Sequence, residues 1–436
     1  MKNDATFASA CPACGGTLLF DAGSGKMKCE FCLSEFTPEE VEAAFREKEA
    51  KTLETGAKDV SGEESMDDGM KGYTCSTCGA ELMADMNTAV MICPYCGNHT
   101  IAPAQFSGSI RPDYIIPFAH TKKEAEDKYR AYYEKRFLLP KDFKTDNHVE
   151  EIQGVYVPFW LFSGRGSIDA RYLAHDESTD KDGHTHVTGR FDEVKAGYLD
   201  YEKVPADASK RMEDDLMDSI EPYQMTEMKE FSMVYLPGFL AERFDVSEEE
   251  CHKRAQKRVQ GSLSSEVKKS IKRDQIDKGV ESFRFEGESS NYAMMPVWRL
   301  VTKWKDKTYK FAMNGQTGKM IGDLPMSAPK VLAILLPILA AFIVIGALLF
   351  GDAEHVIEFL IAGLIVDAIV FAIMYGSMKP VKLASEATNY ISTPFTFTKN
   401  EEKRVNAIEF EKIRKELNQM KAETTEPPIQ KKQAQK

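Results

Sequence analysis

Eight of the nine cysteines in this 436-residue chain fall into four C-x-x-C pairs. Cys11, Cys14, Cys29 and Cys32 form one set, and Cys75, Cys78, Cys93 and Cys96 form a second, displaced by 64 positions. Both read C-x2-C-x14-C-x2-C. Zinc takes four soft ligands in a tetrahedron, with sulfur at about 2.3 Å. One C-x-x-C turn supplies one edge of that tetrahedron, and a hairpin of about fourteen residues returns a second turn to supply the other. The expected cofactor is therefore Zn2+, two per chain, each with a closed coordination sphere that leaves no position for a catalytic water. An iron–sulfur cluster is the competing use of four thiolates, but these spacings fit zinc better.

Glycine follows the second cysteine of three pairs, at Gly15, Gly79 and Gly97, where such a turn needs a positive φ. Leu33 holds that place after Cys32 and departs from the pattern. Cys251 stands alone and reads as a free thiol, and His99 reads as a surface polar residue beside Cys96. His175, His184 and His186 share a polar stretch with several aspartates, either a further metal site or a hydrophilic hairpin loop. Other chemistries lack their signatures. Neither Gly25-Lys26 nor Gly318-Lys319 has the first glycine or the hydroxyl residue of a P-loop. H-E-x-x-H and G-x-S-x-G are absent. No catalytic residue is assigned, and no enzyme activity is expected.

The cysteines paired in this way imply a reducing compartment rather than a disulfide framework. Residues 1–10 have no apolar stretch of the secretory kind. A net charge of −12 argues against a general nucleic-acid binder, which needs a basic face. The first ribbon has Lys26 and Lys28 against Asp21, Glu30 and Glu35, and residues 75–96 contain no Lys or Arg.

The elements that carry these residues follow from composition. Zinc ribbons are expected at 9–36 and 72–103. The intervening 37–71 holds eleven acidic and five basic residues and reads as a short helix followed by a flexible linker. Residues 111–324 read as one α+β domain. Within it a helix over 121–137 starts at a capping box, Thr121 with Glu124. A strand pair bent at Pro158 is expected over 154–162, with further strands at 165–174, 185–194, 233–240, 295–304, 308–313 and 319–322. A polar helix spans 247–272, and Asn314–Gly318 makes a hairpin turn.

Residues 331–350 and 356–375 are two runs of twenty predominantly apolar residues, each long enough to cross a hydrocarbon core about 30 Å thick. Lys319 and Lys330 precede the first, Lys379 and Lys382 follow the second, and the connection has neither Lys nor Arg. The expected location is a cell membrane crossed twice, with both termini cytoplasmic. Asp367 lies near the middle of the second run, where a charge costs at least about 2.5–3.5 kcal/mol. It either faces the first run or joins the small residues Ala368, Ala372 and Gly376 in holding a membrane partner subunit. The tail 377–436 is expected to be disordered at its end and helical over 399–422. The fold class is multidomain: two small β zinc ribbons, a central α+β domain and a C-terminal two-helix transmembrane hairpin with a helical or disordered tail.

The doubled ribbon, Gly154-Val-Tyr-Val-Pro-Phe-Trp-Leu-Phe162, Tyr235-Leu-Pro-Gly-Phe239, Tyr309-Lys-Phe-Ala-Met-Asn-Gly-Gln-Thr-Gly-Lys319 and the terminal hairpin together resemble a bacterial family. Its members are labelled membrane zinc-ribbon proteins of the transcription-factor-IIB type, some carrying the label of the replication-restart helicase. The resemblance implies an integral membrane protein working beside phage-shock-protein-A-like and SPFH-domain proteins in envelope stress. The helicase label has no ATP-binding motif here to support it. The expected function is a non-enzymatic scaffold that recruits cytoplasmic proteins; the alternative is a membrane-tethered nucleic-acid binder.

Overall fold

The computed structural model describes residues 11–44, 47, 70–74, 81–85, 88–92, 99–101, 111–146, 148–305, 307–349 and 353–425. They form a multidomain α+β protein with a cysteine cluster at its N-terminal end and two apolar helices towards its C-terminal end. The chain divides into two compact units. One takes Met1–Phe159, Asp207–Ser247 and Tyr292–Leu383, and the other takes Trp160–Ala206, Glu248–Asn291 and Ala384–Lys436. Residues 111–324, treated on sequence grounds as a single domain, are thus shared between both.

In the first unit, strand Leu18–Asp21 pairs antiparallel with Lys26–Cys29, which pairs with Glu35–Phe36. Alternation buries Leu18, Phe20 and Met27, and a short helix at 38–44 adds Val41 to them. The capping box forms as expected: the Glu124 N–H donates to Thr121 Oγ1 and the Thr121 N–H donates to the Glu124 carboxylate, opening helix Lys122–Glu134. These bonds also hold the Glu124 carboxyl below its usual range.

The expected strand pair bent at Pro158 is instead part of one uninterrupted strand, His148–Thr179. Proline has no N–H to give, but its carbonyl still serves, accepting from Ala208 N at 2.9 Å. Gly154 is required here, because a Cβ would lie 2.5 Å from the Phe239 ring, which itself stacks on Phe118 at 3.9 Å. The strand expected over 233–240 is also corrected. Ser232 accepts from Val234 N and opens a 3-10 turn, Met233–Tyr235; Pro237 and Gly238, with φ 101°, then delay the strand to Leu240–Glu242.

The Asn314–Gly318 turn joins strand Lys307–Asn314 to Met320–Gly322, and Val297–Trp304 of the long strand Gln275–Trp304 pairs with the former. Asn314 is fully buried. Its Oδ1 accepts from Gln316 N and Thr317 N, while its Nδ2 donates to the carbonyls of Ile220 and Pro222. Gly315 leaves room for Phe118 and Pro296, since a Cβ would sit 2.7 and 2.8 Å from them.

Two helices of the first unit, Ala328–Leu349 and Ala353–Met378, are long and apolar enough to cross a membrane. They pack against each other through glycine. A Cβ on Gly346 would lie 2.9 Å from Phe359 Cβ, and one on Gly363 would lie 3.0 Å from Phe342 Cβ. Asp367 is buried one turn beyond Gly363, so it shares that glycine's inward face; Ala368, Ala372 and Gly376 are exposed. Of the two alternatives left by the sequence, Asp367 therefore takes the face of the other apolar helix and not that of the small-residue stripe. Replacement by Leu is expected to leave the helix pair inserted, or more firmly so, with co-purifying proteins unchanged. Loss of a co-purifying protein in the Asp367→Leu variant at matched expression would contradict this placement.

In the second unit, residues 160–179 of the first long strand form a hairpin with strand Thr185–Asp207. Helix Glu248–Ser270 buries Cys251, Ala255, Val259, Leu263 and Val267 along one face. The tail departs from expectation. Strand Thr396–Arg404 pairs antiparallel with Phe191–Tyr198 before helix Ala407–Thr425 begins. Every residue of that strand is exposed, so no apolar alternation advertised it. The helix after it seats Phe410, Ile413 and Leu417 on Leu173.

Candidate metal centre

Cys11, Cys14, Cys29 and Cys32 converge, with all four Sγ atoms within 4.8 Å of one another. The two C-x-x-C turns have matching backbones. Gly15 N donates to Cys11 O at 2.9 Å, and Leu33 N donates to Cys29 O at 3.1 Å. Both donors are left-handed, Gly15 at φ 75° and Leu33 at φ 61°. Leu33 thus occupies the glycine position of its turn in the conformation that position demands, with its side chain 70% exposed. The turns are locked to the strands by Cys11 N donating to Gly16 O at 2.7 Å and Cys29 N donating to Ser34 O at 3.0 Å. Asp21 closes the opposite end, accepting from Gly23 N and from the Ser24 hydroxyl.

Across the centre, Cys14 and Cys29 Sγ lie 3.5 Å apart and Cys11 and Cys32 Sγ lie 3.7 Å apart. Cys11 and Cys29 are buried, while Cys14 and Cys32 face solvent. The Ser34 hydroxyl, helped by its backbone, draws the Cys32 thiol down to about 6. The Gly16 N–H donated to Cys14 Sγ at 3.4 Å favours a thiolate there too, but the three sulfurs around Cys14 outweigh it and push that thiol up to about 12. Four sulfurs this close do not all ionise unless a cation lies among them, which is the electrostatic condition of a metal site. The donor set fits a soft cation in a closed tetrahedron. The described cluster can hold one metal ion.

Cys75, Cys78, Cys93 and Cys96 lie outside the described residues. The strands around them are present: Met70–Thr74 pairs with Glu81–Asp85, and Thr88–Ile92 pairs with His99–Ile101.

The histidine stretch does not assemble a second centre among the described residues. His175 is held between two carboxylates, Nδ1 at 2.8 Å from Asp277 and Nε2 at 2.9 Å from Glu177. Burial lowers its pKa, but the two carboxylates prevail and raise it above the usual imidazole value. His186 Nε2 lies 3.0 Å from Asp180, at the turn closed by Gly183. The hydrophilic hairpin loop is what the structure forms.

No family model matches the chain, and no solved structure matches it. Among curated proteins it is similar to YdjG of Bacillus subtilis (strain 168), an uncharacterized protein, with 31% identity over 331 residues. The match covers 74% of this chain and 91% of YdjG.

Proposed function

The chain belongs to the family of Bacillus subtilis YdjG, and from that premise we propose that it is an integral membrane zinc-ribbon scaffold, without enzymatic activity, that recruits cytoplasmic proteins. The observation that carries this reading is the sulfur cluster, whose four thiols would close the coordination sphere of a tetrahedral metal and leave it structural work only. The metal is taken as zinc, and the repeated spacing at Cys75, Cys78, Cys93 and Cys96 is taken as a second zinc site.

The two apolar helices supply the anchor. Lysines flank only the outer ends of the pair, so the reading places the protein in the cell membrane, crossing it twice with both termini in the cytoplasm. A membrane partner would meet the exposed Ala368, Ala372 and Gly376 rather than Asp367. Proteins of the phage-shock-protein-A-like and SPFH classes are the soluble partners that the family resemblance implies. Protein is favoured over nucleic acid because both lysines of the first ribbon are engaged internally. Lys26 and Lys28 lie 3.6 and 3.8 Å from Glu35.

The test is made on full-length protein in membranes. Reporter fusions at either terminus should be active inside, and an accessible cysteine placed at Asp352 should label from outside. Affinity capture after detergent extraction should then retrieve cytoplasmic proteins, and retrieval should fail when both cysteine sets are replaced. An outward C-terminal reporter, or capture of nucleic acid alone, would overturn the reading.

A further inference from the structure

A cavity of about 830 Å³ opens in the first unit where the two apolar helices meet the rest of that unit. Pro325 and Met326, just before the first helix, and Tyr375 and Lys379, at the end of the second, form one side. Trp304, Lys305, Lys307, Tyr309 and Lys310 from the facing hairpin form the other. Entry and exit of the helix pair are tied together beside it, with Leu324 N donating to Met378 O at 2.9 Å. Lys330 Nζ donates to the carbonyls of Phe137 and Leu139 at 2.8 Å each, under a Phe137 side chain that is 70% exposed. Aromatic rings and lysines gathered at helix ends are the composition of a bilayer interface.

The charges in the lining sort into pairs, with a remainder. Glu213 is taken by Lys310 at 2.6 Å and Asp323 by Lys379 at 3.1 Å, while Lys305 reaches out of the cavity to Asp142. The Lys307 side chain is exposed and has no ion pair or hydrogen bond among the described residues. Asp215, whose Oδ1 accepts from Leu216 N at 2.9 Å, also lines the cavity and has no ion pair among the described residues. The cavity thus offers an unpaired lysine for a phosphate and the Asp215 carboxylate as an acceptor for a hydroxyl, between aromatic rings, at the ends of the two apolar helices.

We propose that this cavity binds the phosphate and glycerol of an anionic glycerophospholipid headgroup, with Lys307 on the phosphate and Asp215 accepting from a headgroup hydroxyl. The proposal rests on the reading of the apolar helices as membrane spans. Its volume lies within the range of ordinary small-ligand sites, roughly 300–1,000 Å³.

The experiment uses full-length protein in neutral detergent, titrated with short-chain phosphatidylglycerol, short-chain phosphatidylcholine and soluble glycerol 3-phosphate, with thermal stabilisation as the readout. Phosphatidylglycerol should stabilise saturably and more than phosphatidylcholine, and glycerol 3-phosphate should have no effect at matched concentration. Lys307→Glu should weaken the phosphatidylglycerol response about tenfold. Thr308→Trp, which fills the mouth without changing charge, should abolish it. Both variants should need detergent for extraction from membranes, as the parent does. Unchanged affinity in both variants, or equal responses to the two lipids, would overturn the site. A response to glycerol 3-phosphate equal to that of the lipid would overturn a membrane source for the ligand. Release of the parent protein by alkaline carbonate without detergent would instead overturn the membrane reading itself.

Discussion

On the proposed reading of one zinc at each cysteine set, replacing Cys11 and Cys14 together by serine is expected to lower the zinc content of the purified chain from two atoms to one and to unfold the segment 11–44. The buried apolar residues of that segment are Leu18, Phe20, Met27 and Val41 with the two buried cysteines, and Phe20 relies on Tyr235 and Phe239 of the same unit, so the stretch has little core of its own. Structural zinc supplies about 10–16 kcal/mol in comparable small sites, so the effect should be close to complete rather than graded. Elemental analysis gives the metal count, and limited proteolysis reports the unfolding as new cleavage between Phe20 and Phe36. Zinc should remain at the second cysteine set, and the melting of the other unit should be unchanged. Retention of two zinc atoms, or loss of both, would show that the sets do not bind independently.

Asn314→Ala is expected to destabilise the first unit by about 3–5 kcal/mol. The change strands the N–H groups of Gln316 and Thr317 and the carbonyls of Ile220 and Pro222, each a backbone group worth about 1–3 kcal/mol when left unpaired in a buried place. For a unit of this size the melting temperature should fall on the order of 10 °C. Asn314→Asp keeps the two acceptor roles but loses both donor roles, and should fall between Ala and the parent. Calorimetry of detergent-solubilised protein measures all three. A change within 1 °C for Asn314→Ala would mean that the turn does not need its side chain.

That turn also shows how far the sequence could be read. Asn314-Gly-Gln-Thr-Gly318 is distinctive enough to suggest a functional motif, yet each of its residues answers to packing. Asn314 pins the loop, Gly315 makes way for Phe118, Gln316 bonds to Gln224 and Glu227, and Gly318 takes φ 72°. The four converging cysteines were legible because coordination chemistry fixes their spacing. The helix starting at Thr121 was legible because its cap is local, and the apolar helices because their length and composition are extreme. What escaped depends on distant partners. Strand Thr396–Arg404 has no buried face and exists by pairing with residues some two hundred positions earlier. Strand Gln275–Trp304 extends far upstream of the expected start at 295, through a charged stretch that alternation alone does not reveal. For Asp367 the sequence left two faces open, and only the packed helix pair selects the one shared with Gly363. The cavity beside Lys307 draws on segments from 213 to 381 and has no linear signature.

The pairing of Thr396–Arg404 with Phe191–Tyr198 also sets a timetable. On the ribosome the earlier strand emerges long before its neighbour, and at about 5–20 residues per second the interval is roughly 10–40 s. Throughout that wait the edge formed by residues 191–198 is unpaired and able to recruit other strands. Both apolar helices are translated within the same interval, so on the proposed membrane reading they would reach the bilayer while the second unit still lacks its last strand. Under that reading each newborn chain would be held at the membrane surface, away from its fellows in bulk solution, during the period when its open edge is most able to aggregate.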